Sequence, residues 1–289
     1  MKIAILGARG FIGGNLGRQL VSHGHEVTGY VLNPELGAGI GFECKSVYEL
    51  LRSRIGTECG YDITINLAAR RATRAQPFTE SQVNDFTYEI PREFILRTAG
   101  SNTLVLNSST YIQNFGGATG HTVDSYGASK ERLSRFLEDQ SSHHKFRTID
   151  LFFFTLYGAG DRPNHLVPLL LDAAATGKQI SLSPGNQLMN LLYVDDAIQN
   201  ILKSIDQVGF SDYQKNYVWS GEYFSVHELV ERIQSSIGRE IDCAWGERDY
   251  VGHEMMEAWT IPMEQLPGFT APTPLEVGIR KTWKSISIE

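Results

Sequence analysis

Tyr126 and Lys130, in the stretch SYGASK, stand four residues apart and so share one face of a helix. An ammonium beside a phenol stabilises the phenolate and lowers its pKa. A phenol tuned in this way exchanges a proton with a carbonyl or alcohol oxygen. The run NTLVLNSS ends shortly upstream, and Ser109 at its end is expected to aim its hydroxyl at the same oxygen. Ser109, Tyr126 and Lys130 are therefore the candidate catalytic set.

A proton step at a carbonyl pairs naturally with a hydride carrier, and the amino-terminal stretch KIAIL-GARGFIGG offers a site for one. Gly7 ends a strand-length apolar run, where the chain must turn sharply. Gly10 lets the backbone approach a pyrophosphate, and Gly13 lets the following helix pack closely on the strand. The amino terminus of that helix, with Phe11 and Ile12 in its first turn, faces the anion with free N–H groups. A dinucleotide-binding loop is the reading. A carboxylate at the end of the second strand would accept from the adenosine ribose hydroxyls. Tyr30, Val31, Leu32 and Asn33 stand there instead, all uncharged. Arg9, inside the loop, suits a 2′-phosphate. These two features favour NADP (NADPH) over NAD, with Asn33 at the adenosine end and Lys130 also placed to hold the nicotinamide ribose.

These residues need a scaffold, and the chain alternates strand and helix. KIAIL, HEVTGYVL, YDITINLAA, NTLVLNSS and FRTIDLFFF read as strands, with helical spacing between them, as over residues 79–98. Alternation of this kind predicts an α/β fold, a Rossmann-type doubly wound parallel sheet whose ligands lie at the carboxyl ends of the strands. The 289 residues, 42% hydrophobic and 20% charged, suffice for a large core. A net charge of -7 without a basic run argues against nucleic acid as a partner. Cys44, Cys59 and Cys243 form neither a CxxC nor a paired framework and read as idle thiols of a reducing cytoplasm. No metal-ligand spacing and no membrane segment or signal peptide is read.

With these motifs in place, the sequence resembles the extended short-chain dehydrogenase/reductases that act on nucleotide sugars. GARGFIGG is similar to the family's GxxGxxG loop, and NLAA, with Leu67, Ala68 and Ala69, to its cofactor-contacting strand end. QVND places Asn84 on the family's Asn, and NSST with YGASK resembles its Ser/Thr–Tyr–Lys set. LYGAGD, LLYVDDA and WSGEYFSVHELVERI resemble three further family stretches; in the last, Ser225 and Glu228 make a capping-box pattern. The resemblance implies a nucleotide-linked sugar as substrate, a homodimer, and a cytoplasmic location. It also implies nicotinamide contact by Phe153, and substrate contact by Tyr111, Thr155, His165, Met189 and Asn190. The dinucleotide-binding domain is expected over residues 1–155 and 189–208, and a smaller α/β substrate domain over 156–188 and 209–289.

Departures from the family pattern narrow the expected activity. The 4,6-dehydratases carry an Asp-Glu pair straight after the catalytic Ser/Thr, where this chain has Thr110 and Tyr111. The 4-epimerases hold NAD with the second-strand acid that is missing here. The stretch GERDYVGHEMMEAW resembles that of CDP-linked dideoxyhexose synthases, which reduce a 4-keto sugar, and FGGATG is expected to be a mobile loop at the site mouth. NHLVP is similar to the SHVIP of GDP-fucose synthases, making His165 a candidate proton donor. Tyr111 stands where that group has its second epimerising residue, a cysteine. Met189 and Asn190 replace an arginine region that grips substrate phosphate, and LFFFT replaces an Arg-rich strand end. The expectation is an NADPH-dependent reductase of a nucleotide-linked 4-keto-(di)deoxyhexose. An epimerase or epimerase-reductase is the alternative, and a non-catalytic NADP-binding sensor is one of another class.

Overall fold

The computed structural model describes all residues except 38, 56–59, 73–76, 119, 207–210, 251–253, 261–263, 270–272 and 287–289. Cys59, residue 119 of the FGGATG loop and residues 251–253 of the carboxyl-terminal stretch thus lie outside the described residues.

Seven parallel strands form the central sheet: β1 (Lys2–Leu6), β2 (Glu26–Val31), β3 (Glu43–Ser46), β4 (Ile63–Asn66), β5 (Leu104–Thr110), β6 (Arg147–Phe153) and an edge strand at Tyr213–Val218, in the order edge-β6-β5-β4-β1-β2-β3. The order reverses beside β1, the switch point at which such sheets open a ligand crevice. The apolar runs read as strands are buried on both faces, as a covered parallel sheet requires. Helices α1 (Phe11–Ser22) and α7 (Val194–Asp206) close one face over Ile3, Ile5, Ile65, Leu106 and Leu151. On the other face, α2 (Val47–Arg52), α4 (Ile90–Thr98) and α5 (Ser125–Ser142) pack on Leu6, Tyr30 and Val105.

The helix expected over 79–98 is not uniform. It runs as α3 (Glu80–Asn84), a π-helical segment Asp85–Glu89, and α4. Thr79 and Gln82 form a capping box at its start.

A second core gathers α6 (Leu166–Thr176), α8 (Val226–Ile237) and α9 (Leu275–Ile286) around Leu170, Leu229 and Ile279. Short pairs serve it: β7 (Thr155–Tyr157) with β10 (Leu191–Tyr193), β8 (Ile180–Ser181) with β13 (Cys243–Ala244), and β9 (Leu188–Met189) with β12 (Phe224–Ser225). The edge strand of the main sheet, β11 (Tyr213–Val218), corrects the expected division of the chain. Residues 213–218 belong to the main sheet, because β6 would otherwise present an unpaired edge of buried residues. Ser225 and Glu228 do form the capping box of α8.

Candidate active site

The cleft at the carboxyl ends of β1, β2 and β4 has a volume of about 310 Å³ and is lined by Gly7, Arg9, Gly10, Tyr30, Val31, Leu32, Asn33, Leu67, Ala68 and Ala69, among others. Gly7 takes φ +81°, and a Cβ there would lie 3.0 Å from the Ala68 nitrogen. A Cβ on Gly13 would lie 2.3 Å from the Gly7 carbonyl oxygen. Only glycine fits either position, and the backbone left bare is a cradle for a pyrophosphate at the start of α1. Phe11 lines an adjoining cleft with Arg9 and Arg18, whereas Ile12 packs into the core under the loop. Arg9 acts electrostatically on Cys44 of β3, which places its guanidinium toward the ends of β2 and β3.

Two cleft residues escaped the sequence reading. Arg70 and Arg162 line the same cavity. The Arg70 guanidinium lies 3.8 Å from the Phe86 ring centroid, and Thr87 exchanges hydrogen bonds with the Arg70 backbone. The available signal was position: each arginine directly follows a strand-end motif, NLAA or LYGAGD. Asn84, expected at the cofactor, faces elsewhere. Its side chain accepts from Arg132 at 2.7 Å and donates to Glu89 at 3.5 Å. The π-helical segment directly after it resets the helical register, so Phe86 faces the cleft instead and Thr87 is buried against the Arg70 backbone.

The candidate catalytic set is divided between the interior and the Tyr126 side. Ser109 is 4% exposed, and its hydroxyl donates to Asp150 at 2.6 Å and contacts Ser134 at 3.1 Å. It points into the interior because successive strand residues alternate in direction. Thr110, one residue on, presents its side chain to the Tyr126 phenol and draws the phenol's pKa down against burial. Thr110 also caps the 3₁₀ segment Tyr111–Gly117, with Gln113 accepting from its backbone N–H at 2.9 Å. With Thr110 in place of Ser109, the next two residues are Tyr111 and Ile112, still without a carboxylate.

Lys130 is 1% exposed, and its ammonium donates to the Ser108 carbonyl and, at 3.4 Å, to the Ser108 hydroxyl. Burial lowers its pKa to about 8, against the opposing pull of the Asp150 carboxylate. Tyr126 is half-buried, and burial raises its phenol. The charge that opposes this rise is Arg71, not Lys130, whose ammonium is turned to Ser108. Arg71 lies 5.7 Å from the Tyr126 ring centroid and pairs at 3.3 Å with Asp124, the amino-terminal cap of α5.

The expected substrate residues separate into two groups. Tyr111 hydrogen-bonds Thr155 and stacks on Phe154, 4.8 Å between centroids and 9° between planes. Phe154, Tyr111, Phe115, Trp219, Tyr223 and Trp259 form one aromatic cluster beside Tyr126, joined by Met255 and Leu188. Met189, one residue further on β9, packs against the second core instead. Asn190 and Phe153 do not face this space. Asn190 is 1% exposed and clamps the 220–222 turn, donating to the Ser220 hydroxyl and the Glu222 carbonyl and accepting from the Ser220 N–H. Its buried amide is spent on the backbone. Phe153 packs in the main core with Ile149-side residues, and the aromatic facing the site is Phe154. His165 is the residue before α6, and its Nδ1 is bound at 2.7 Å to Asp161. Among the described residues, the polar contacts of Tyr126, Thr110 and Tyr111 do not include His165.

The sequence profile of the NAD-dependent epimerase/dehydratase family matches residues 3–218. The chain belongs to this family. It is similar to CDP-abequose synthase of Yersinia pseudotuberculosis, 28% identical over 238 residues that cover 80% of this chain and 82% of the relative. Among solved structures it is similar to MoeE5 in complex with UDP-glucuronic acid and NAD, at a TM-score of 0.85 and 18% identity, covering 100% of this chain and 99% of that one. It is also similar to UDP-glucuronic acid 4-epimerase of Bacillus cereus in complex with UDP-glucuronic acid and NAD, at a TM-score of 0.81, 17% identity and coverage of 100% and 99%. These likenesses establish the Rossmann-type fold. Among the described residues no helix is long and apolar enough to cross a membrane.

Proposed function

We propose that this chain reduces a keto group, at C4, of a nucleotide-linked deoxyhexose, with NADPH as the hydride source. The observation that carries this reading is the pairing of a glycine-cradled cleft with one proton-handling group beside it, Tyr126, next to the Thr110 side chain. When bound, a reduced nicotinamide dinucleotide supplies hydride to the carbonyl carbon. The Tyr126 phenol gives its proton to the carbonyl oxygen as that oxygen gains charge, and Thr110 holds the oxygen. Arg71 restrains the upward drift of the phenol's pKa, and Lys130, whose ammonium is held on Ser108, is assigned to the nicotinamide ribose. The other two acid/base candidates support reduction without epimerisation. His165 is engaged by Asp161, and burial raises the Tyr111 phenol, making it a poor base.

The uncharged end of β2 and Arg9 beside it support NADPH. One extra charge-assisted contact is worth on the order of 1 kcal/mol or more, several-fold in affinity. The named relatives favour a second reading, since MoeE5 and the Bacillus cereus 4-epimerase were solved with NAD and a UDP-sugar. A 4-epimerase returns the dinucleotide to its starting state each cycle, so the two readings differ in net oxidation. Nucleotide-linked 4-keto sugars offered with NADPH or NADH are expected to give stoichiometric loss of 340 nm absorbance, faster with NADPH. Sugar inversion with tightly held NAD and no net absorbance change would replace this reading with the epimerase. Absence of both reactions would point to the non-catalytic sensor.

A further inference from the structure

Asp150 is a carboxylate in the middle of β6, between the buried Ile149 and Leu151, and is 0% exposed. Four donors meet it: Asn107 at 2.7 Å and Ser109 at 2.6 Å on one oxygen, Ser134 at 2.6 Å and Tyr213 at 3.1 Å on the other. The Asn107 amide can only donate, and both oxygens accept twice, so the pocket is built for the anion. Burial raises the carboxyl pKa above its ordinary value, and these four donors offset that rise only in part.

The register of the sheet makes this anion a junction. Asn66, Asn107 and Asp150 are direct neighbours across β4, β5 and β6. One branch runs from Asp150 through Asn107 to Asn66, whose oxygen accepts the Ala68 N–H in the wall of the dinucleotide cleft. A second runs through Ser134 to Gln113, which holds the Thr110 N–H. Its charge is also what offsets the burial of Lys130. The other titratable groups around the pair are Tyr213 of β11, its phenol raised by burial and by Asp150, Glu131 of α5, which accepts from Gln113, and Tyr126 one turn before Lys130.

We propose that Asp150 is a positioning residue, a buried carboxylate whose hydrogen-bond network fixes both Thr110 and the Leu67–Ala69 turn. A satisfied buried network holds its members in one arrangement, which a catalytic hydroxyl and a cofactor wall both require. The role of Lys130 toward the dinucleotide rests on the functional reading above; the network itself does not.

The test is hydrogen exchange by mass spectrometry in the peptides carrying Thr110 and Ala68, with NADPH and NADH binding followed by nicotinamide fluorescence in parallel. Asp150→Asn keeps the size and removes the charge, so exchange is expected to speed at least tenfold in both peptides. Ser134→Ala cuts only the branch to Thr110, so exchange should speed at least tenfold in the peptide carrying Thr110 and stay unchanged in the one carrying Ala68. Unaltered exchange at Thr110 in either variant overturns the proposal, and where Asp150→Asn does not fold, Ser134→Ala decides. Absence of dinucleotide binding by the unsubstituted protein overturns only the functional reading.

Discussion

A single residue step separates a structural hydroxyl from one that faces Tyr126, the proposed proton donor. Ser109 serves the buried Asp150, while Thr110 serves Tyr126. Thr110→Val is therefore expected to lower turnover of the keto sugar by about tenfold to a hundredfold, the range of a lost polarising or proton-handling contact. Ser109→Ala is expected to keep turnover within about threefold and to cost about 1–3 kcal/mol of stability, because a buried carboxylate loses a donor. Steady-state rates and urea unfolding of the two variants check this; the reverse pattern would restore Ser109 to the site. Period-two alternation already separates Ser109 from Thr110 in the sequence. Which of the two meets Tyr126 depends on where α5 packs, and no local pattern carries that. Arg71 was hidden for the same reason: its partner Asp124 lies 53 positions away. Lys130 and Tyr126 were legible as a pair through helical spacing, but the turn of the ammonium toward Ser108 was not.

The elements themselves were plainer. The strands and the glycine loop follow from apolar runs and φ preferences, which are local. The π-helical segment at Asp85–Glu89 breaks the spacing on which the placement of Asn84 relied, and β11 is too polar along its length to announce itself as part of the sheet. The loop gives a prediction at this scale. Gly13→Ala puts a methyl 2.3 Å from the Gly7 oxygen and 2.9 Å from the Ala8 Cα, both backbone atoms that cannot swing away. Dinucleotide affinity is expected to fall at least tenfold, with about 1–3 kcal/mol of stability lost to overpacking. Gly24→Ala, where nothing lies within 4 Å of the added carbon, meets only the strain of its φ of +81° and costs about 1 kcal/mol. Fluorescence titration and thermal melts of both variants check the contrast; equal dinucleotide binding by Gly13→Ala and the parent would show the loop is not the phosphate cradle.

Across the whole molecule, a buried lysine links folding to pH. The pKa of Lys130 is lowered to about 8 in the folded chain from 10.5. Between these values the unfolded chain binds the extra proton, so this residue makes stability rise as pH rises from about 8 to about 10.5. Below pH 8 both states carry the proton and the cost of burying the ammonium is felt in full. In Lys130→Met that increment, on the order of 2 kcal/mol, is expected to vanish. Urea unfolding of both proteins at pH 8 and pH 10 measures it, and parallel changes in the two would show that Lys130 is not the source.

The aromatic cluster beside Tyr126 has an optical consequence. Trp219 and Trp259 stand within it, whereas Trp245 and Trp283 pack against the second core. Two of the chain's four indoles therefore stand on the Tyr126 side. Indole emission overlaps the absorption of reduced nicotinamide, and any ligand entering among the rings alters the surroundings from which that light comes. The protein thus carries an intrinsic lamp beside Tyr126, with a second pair of indoles in the other core as the reference.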